Sequence, residues 1–206
     1  MIKLNRLQIS FYLISLLLIS CNQREFSSIE EYSNAIKTNK DLVNSKSISG
    51  VNYSLRYITP EALAIKNINM TGSDQRDYFN TEINKLKEGI YFNLVITDSD
   101  SETKVKDMVL DKQKYAEQLA YANTYFQNSV SVIINNKDTL NCSLAHMEPP
   151  TNLKPEFRFF LAFNLPSKNI IKEMTFLYND ELFDCGPVKF YYNQEVIDNL
   201  PKLNLL

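Results

Sequence analysis

Alternation of apolar and polar residues is the feature that most limits the folds open to this chain. Residues 51–58 place Val51, Tyr53 and Leu55 on one face of an extended strand, with polar side chains on the other. Residues 157–163 repeat the pattern with aromatic and aliphatic side chains. A strand with one apolar face must bury that face, so we expect both segments in an antiparallel sheet with one side against a core.

Further strands are predicted mainly in the second half of the chain. Residues 130–134 and 139–146 flank the turn-forming sequence Asn-Asn-Lys-Asp and predict a hairpin, and 173–178 and 188–192 predict two more strands. Residues 91–96 have the same character in the first half.

Helices are predicted mainly in the first half and the centre of the chain. Ser28 and Glu31 have capping-box spacing and indicate a helix over 29–37, and Thr59-Pro60 indicates a helix through about residue 68. Two more are expected over 74–87 and from Asp111 to about Phe126. The segregation predicts an α+β fold, in which an antiparallel sheet formed largely by the C-terminal half packs with several N-terminal and central helices.

Two pairs of adjacent aromatic residues add a constraint. Neighbours on a strand point to opposite faces, so one residue of Phe159-Phe160 and one of Tyr191-Tyr192 must face away from the first core layer. We expect Phe160 and Tyr192 to be the outward members, either packed beneath the N-terminal helices or forming an exposed patch that would mark a partner site.

The N-terminus has the pattern of a bacterial export signal. Lys3 and Arg6 precede an apolar stretch that ends in Leu18-Ile19-Ser20-Cys21, which fits a lipobox with Cys21 as the lipidated residue. The stretch is short and contains serines, which disfavours a membrane span of about 20 residues. We therefore predict a signal peptide over 1–20, a lipidated cysteine and tether over 21–27, and a single α+β domain over 28–206.

Charge and cysteine content narrow the functional classes. The chain has 22 basic and 24 acidic residues without a basic cluster, so we expect no nucleic-acid partner. With Cys21 assigned to lipid, Cys142 and Cys185 remain in a compartment where disulfides persist. Bonding requires Cα atoms within about 7 Å, which a sequence does not reveal, and we predict two separate thiols.

Several segments from about Tyr53 onward carry a family resemblance. They are Asp138-Thr139-Leu140 with its strand to His146-Met147-Glu148, Phe160-Leu161-Ala162-Phe163, Leu177-Tyr178-Asn179-Asp180, and the closing residues 197–203. In these segments the chain resembles an uncharacterised family of small lipoproteins from Bacteroides- and Flavobacterium-type bacteria. The resemblance implies a fold and no activity. It departs from the family pattern at Pro149, where an arginine often follows the glutamate.

His146 is the only histidine, so a multi-histidine metal site is excluded. His146 and Glu148 are two apart on a predicted strand and would share a face, where the carboxylate could orient the ring as a general base. No nucleophile motif accompanies them. We therefore expect His146 to continue the core-facing set of Leu140, Cys142 and Leu144 and to be at least partly buried.

Residues 98–102 place three carboxylates at alternating positions, as calcium loops do. Thr103 stands where such a loop needs glycine and Val109 where it needs glutamate. We accordingly predict no metal and no cofactor.

The sequence thus predicts an envelope lipoprotein, placed at the outer membrane by its lipid, with a non-catalytic binding or support domain and a possible envelope protein partner. Two alternatives stay open. One is a small envelope hydrolase that uses His146 and Glu148, and the other is an assembly subunit of an outer-membrane complex.

Overall fold

The fold is described from a computed structural model, which describes residues 25–66, 68, 73–98, 112–149, 156–166 and 170–205. Cys21, most of the predicted tether and most of the acidic loop lie outside these residues. The strands are β1 (Glu25–Phe26), β2 (Val43–Ile48), β3 (Val51–Ile58), β4 (Gly89–Asp98), β5 (Val130–Ile134), β6 (Asp138–Glu148), β7 (Glu156–Asn164), β8 (Met174–Asp180), β9 (Gly186–Tyr192) and β10 (Lys202–Leu203). The helices are α1 (Ile29–Thr38), α2 (Pro60–Ile65), α3 (Ser73–Leu86), α4 (Lys112–Thr124) and α5 (Gln194–Asp198), with 3-10 turns at Lys40–Leu42 and Phe126–Ser129.

Eight strands form one antiparallel sheet in the order β2-β3-β4-β7-β6-β5-β8-β9. The sheet curls until its two edge strands meet, giving a nearly closed, barrel-like body. Side chains bridge the seam: the Asn44 amide donates to the Tyr191 carbonyl at 3.2 Å, and the Tyr192 hydroxyl donates to the Leu55 carbonyl at 3.1 Å.

The predicted helix-covered α+β arrangement is therefore wrong. Three strands of the sheet, β2 to β4, come from the first half of the chain, and the helices are short. Because the sheet closes on itself, the apolar faces of its strands bury one another and need little cover from helices. The strand that completes this closure on one side, β2, is the polar segment VNSKSI, which carries no alternating apolar pattern.

The main core fills the interior of the barrel. Alternate residues of each strand point inward, and the largest fully buried side chains here are aromatic: Tyr53, Phe92, Phe159, Phe163, Phe176, Tyr178, Phe190 and Tyr192. Phe126, in the turn after α4, enters the same core and stacks on Phe159 with ring centroids 3.6 Å apart. Tyr192 thus faces inward, against our expectation, and Tyr191 is its outward neighbour.

A smaller core lies outside the barrel, between helices α1 to α3 and the short strands β1 and β10. Its buried members are Tyr32, Ala64, Phe79 and Leu203. The predicted caps are confirmed at both helices: Ser28 accepts from the Glu31 amide, and Thr59 accepts from the Ala62 amide with Pro60 at the first helical position. The Tyr32 hydroxyl also hydrogen-bonds the Thr59 hydroxyl, which fixes α2 against α1.

Candidate functional site

A β-bulge in β6 decides where His146 points. Cys142 pairs with Phe163 and Leu144 pairs with Ala162, so Ser143 is an extra residue in the ladder. Beyond the bulge the alternation is reversed: Ala145 and Met147 pack against the barrel core, whereas His146 is exposed. The expectation that His146 continues the inward face of Cys142 is wrong for this reason.

Outside the barrel, one row of side chains runs across four neighbouring strands. In the register of the sheet, Arg56 on β3 is opposite Asn93 on β4, Asn93 is opposite Phe160 on β7, and Phe160 is opposite His146 on β6. Three strand spacings separate the ends of this row, a distance of about 14 Å. Residues far apart in the sequence therefore form one continuous floor.

Helix α2 lies beside this floor and makes it a groove. The groove has a volume of about 530 Å³ and is lined by Arg56, Ile58, Ala62, Leu63, Lys66, Asn93, His146, Glu148 and Phe160. Thr59, which caps α2 and binds Tyr32, holds this wall in place. Phe160 is half-buried, and its ring stacks on Tyr91 with centroids 6.1 Å apart and planes at 17°. Phe160 thus faces outward, as predicted, and lines the groove beside α2.

Two cationic side chains, those of Arg56 and Lys66, line the groove. Arg56 donates from Nη2 to the carbonyl of Ile36, in the last turn of α1, at 2.6 Å, which leaves its other guanidinium donors for a second partner. Lys66 follows α2 and makes no ion pair with another described residue. Glu148 also lines the groove and lies opposite Arg158 in the register, and Arg158 forms an ion pair with Glu156.

Asn93, in the middle of the floor, contributes an unpaired acceptor. Its Oδ1 atom is buried and has no hydrogen-bond partner among the described residues. Because buried polar atoms are almost always paired, an Asn93 side chain that turned toward the groove would gain a hydrogen bond from a donor bound there.

The two candidate residues from the sequence, His146 and Glu148, both line this groove. The structure also brings to them Phe160, which the sequence marked as an outward aromatic residue, and Arg56, Lys66 and Asn93, which it did not single out. No described residue that lines the groove is serine, threonine or cysteine. His146 therefore lacks a side-chain nucleophile beside it within the described part of the chain.

A second polar cluster, missed in the sequence, lies inside the barrel around Asp180. The Asp180 side chain is 3% exposed and accepts from the hydroxyls of Tyr53 and Tyr178 at 2.6 and 2.8 Å. It also accepts from the backbone amides of Leu182, Phe183 and Cys185. Burial, together with the neighbouring Asp180, raises the pKa of both tyrosines. The cluster organises the β8–β9 connection.

Both described cysteines are free thiols. Cys142 is buried and directs Sγ toward the carbonyls of Leu144 and Ala162, and burial raises its pKa to about 11. Cys185 directs Sγ toward the carbonyl of Ile48 across the seam.

The described residues contain no group of three or more histidine, cysteine or acidic residues placed to hold a metal ion. Within the same ranges, no helix combines the length and apolar character that a membrane crossing requires.

Comparison with known proteins adds no functional assignment to these structural features. No protein-family model matches the chain, and no curated protein matches it. A crystal structure of a protein of unknown function from Burkholderia pseudomallei is similar over 97% of both chains, with 10% sequence identity and a TM-score of 0.40. The predicted membership of a Bacteroides- and Flavobacterium-type lipoprotein family stays a prediction.

Proposed function

We propose that this chain is a lipid-anchored envelope protein whose barrel-like domain binds a ligand in the groove outside the barrel and does not transform it. The lipobox at Cys21 supports the anchor, and its sorting to the outer membrane belongs to the same proposal. The binding role rests on the groove, which is lined by the cations Arg56 and Lys66 and by the apolar ring of Phe160.

One observation carries the choice of binding over hydrolysis. His146 is exposed on the outer face, and the described residues that line the groove supply no hydroxyl or thiol to act as a nucleophile. A general base contributes to catalysis only within hydrogen-bond reach of the proton that it removes. The arrangement therefore favours a binding site over the hydrolase with His146 and Glu148.

Complementation of a deletion strain tests this proposal. His146→Gln keeps a hydrogen-bonding side chain but removes the titratable ring, whereas Lys66→Glu reverses a charge of the groove. We expect His146→Gln to correct the growth or envelope defect of the deletion strain as the parent does, and Lys66→Glu to fail. Lys137→Glu, at the exposed turn between β5 and β6, is the matched control and should complement.

Immunoblotting must show equal amounts of the variants. If His146→Gln is present at the parental level and fails to complement, the groove is a catalytic site and the proposal is wrong. Complementation by Lys66→Glu would show that the protein does not need the groove for its function.

A further inference from the structure

The groove combines features that together select one class of ligand. Arg56 and Lys66 both line it, and neither forms an ion pair with a described residue. Glu148 lines it as well and lies opposite Arg158 in the register of the sheet. Guanidinium and ammonium groups are the side chains that proteins use to hold carboxylate or phosphate oxygens.

The middle of the groove is apolar. Phe160 forms its floor, and Ile58, Ala62 and Leu63 form its side. The Phe160 ring stacks on its neighbour Tyr91 and offers an aromatic surface for an apolar group. The length of the row, about 14 Å from strand spacing, fits a small molecule of a dozen or so heavy atoms better than a bare inorganic ion.

Asn93 narrows the class of ligand that the groove would accept. Asn93, whose Oδ1 atom has no hydrogen-bond partner among the described residues, lies between Arg56 and Phe160 in the register of the sheet. A ligand with an amide N–H or a hydroxyl between its anionic group and its apolar body would satisfy that acceptor.

We propose, resting on the binding function above, that the groove takes a small amphiphilic anion: a carboxylate or phosphate group at Arg56 and Lys66, a hydrogen-bond donor at Asn93 and an apolar body on Phe160. Arg56 is partly committed to the end of α1, so Lys66 is the cleaner probe of charge recognition.

The chain contains no tryptophan, which allows a direct measurement. Phe160→Trp places a single tryptophan in the floor, and the full-length variant is reconstituted in phosphatidylcholine vesicles. N-phenylacetylglycine supplies the carboxylate, amide N–H and aromatic ring, and its carboxamide is the uncharged control. Phenylbutyl phosphate replaces the carboxylate with phosphate. Saturation-transfer NMR of the same ligands with the unaltered chain guards against an effect of the reporter.

We expect N-phenylacetylglycine to change the tryptophan emission saturably and the carboxamide to bind about tenfold more weakly. Lys66→Gln should weaken binding of the acid about fivefold, as should raising the salt concentration, while Lys137→Gln leaves it unchanged. Tighter binding of the acid than of phenylbutyl phosphate assigns a carboxylate ligand, and the reverse assigns a phosphate ligand; both support the proposal.

Absence of binding by both anions, equal affinity for acid and carboxamide, or an unchanged affinity in Lys66→Gln would overturn the anion assignment. These failures are distinct from failure of the binding function, which is decided by the complementation of His146→Gln.

Discussion

At the scale of single residues, Asp180 has the largest set of buried hydrogen bonds described for any side chain here. Two tyrosine hydroxyls and three backbone amides donate to its carboxylate inside the barrel. A buried carboxylate is tolerated when donors replace its water, so removal of the acid leaves those donors unpaired. In the sequence, Asp180 looks like an ordinary turn residue. Its role becomes visible only in the folded chain, where β3 and β8 come together.

The first prediction concerns this network. Asp180→Ala should lower the free energy of unfolding by about 3 kcal/mol, because it leaves several buried hydrogen-bond donors without an acceptor. Tyr178→Phe, which removes a single donor, should cost about 1 kcal/mol. Urea unfolding monitored by circular dichroism measures both. Tyr191→Phe is the control, since the Tyr191 hydroxyl binds Glu173 at the exposed surface and its loss should change stability little. A cost for Asp180→Ala no larger than that for Tyr191→Phe would contradict the assignment.

The second prediction concerns the two thiols. Burial raises the pKa of Cys142 to about 11, so below that pH the thiolate needed for alkylation is a minor form. We expect iodoacetamide to modify Cys142 in the folded protein at pH 8 far more slowly than in the unfolded protein, as measured by peptide mass spectrometry. Cys185→Ala provides a chain in which Cys142 is the only described cysteine. Equal rates in the two states, or a parent mass two hydrogens lower before reduction, would contradict the structure.

At the scale of elements, β6 shows where reasoning from sequence succeeds and where it stops. The alternation from Leu140 to His146 correctly predicts a strand, and the turn before it correctly predicts a hairpin with β5. The same alternation assigns His146 to the wrong face of the strand. The extra residue Ser143 reverses which side chains point inward after it, and no feature of the local sequence indicates this bulge. The alternation pattern does not predict strand β2, for a different reason: β2 is a polar strand at the edge of the sheet. The Ser49-Gly50 dipeptide, with positive φ at both residues, was the signal for its hairpin with β3.

The third prediction tests the bulge. Deletion of Ser143 joins Cys142 and Leu144 in consecutive ladder positions without changing the partner of either residue. We expect the variant to fold with a stability loss of about 1 kcal/mol and His146 still exposed. Diethylpyrocarbonate modification of this sole histidine measures its exposure. Deletion of Ala145, a regular inward position, is the matched control and should unfold the protein. Protection of His146 in the Ser143 deletion would contradict the proposed register.

At the scale of the whole molecule, near-closure of the sheet accounts for both the core and the site. Because the interior is filled by the strands themselves, helix α2 remains outside and forms a wall over the outer row Arg56-Asn93-Phe160-His146. The sequence predicted most of the strands and long helices, but not the closure, since pairing of β4 with β7 joins distant segments. It named His146 and Glu148 as site residues. Arg56, Asn93 and Phe160 join them only through the register of four strands, and Lys66 through the position of α2.

The fourth prediction concerns the proposed anchor. Cys21→Ser should abolish incorporation of radiolabelled palmitate and leave the precursor uncleaved at this site. Two acyl chains at about 0.8 kcal/mol per buried CH₂ hold a protein on a membrane stably, and one does so only marginally. Cys185→Ser is the control and should be labelled and processed like the parent. Label retained on Cys21→Ser would refute the lipobox assignment.

Photoaffinity labelling tests the central claim, that the binding site is the groove outside the barrel, most directly. A trifluoromethyl-diazirinyl benzoic acid carries the anionic group and aromatic body that the groove should accept, and peptide mass spectrometry locates its adducts on the full-length chain. We predict adducts on α2 and on the outward residues of β6 and β7, suppressed by excess N-phenylacetylglycine and reduced in Lys66→Gln. Competed adducts confined to other surfaces, or to the barrel interior, would contradict this account.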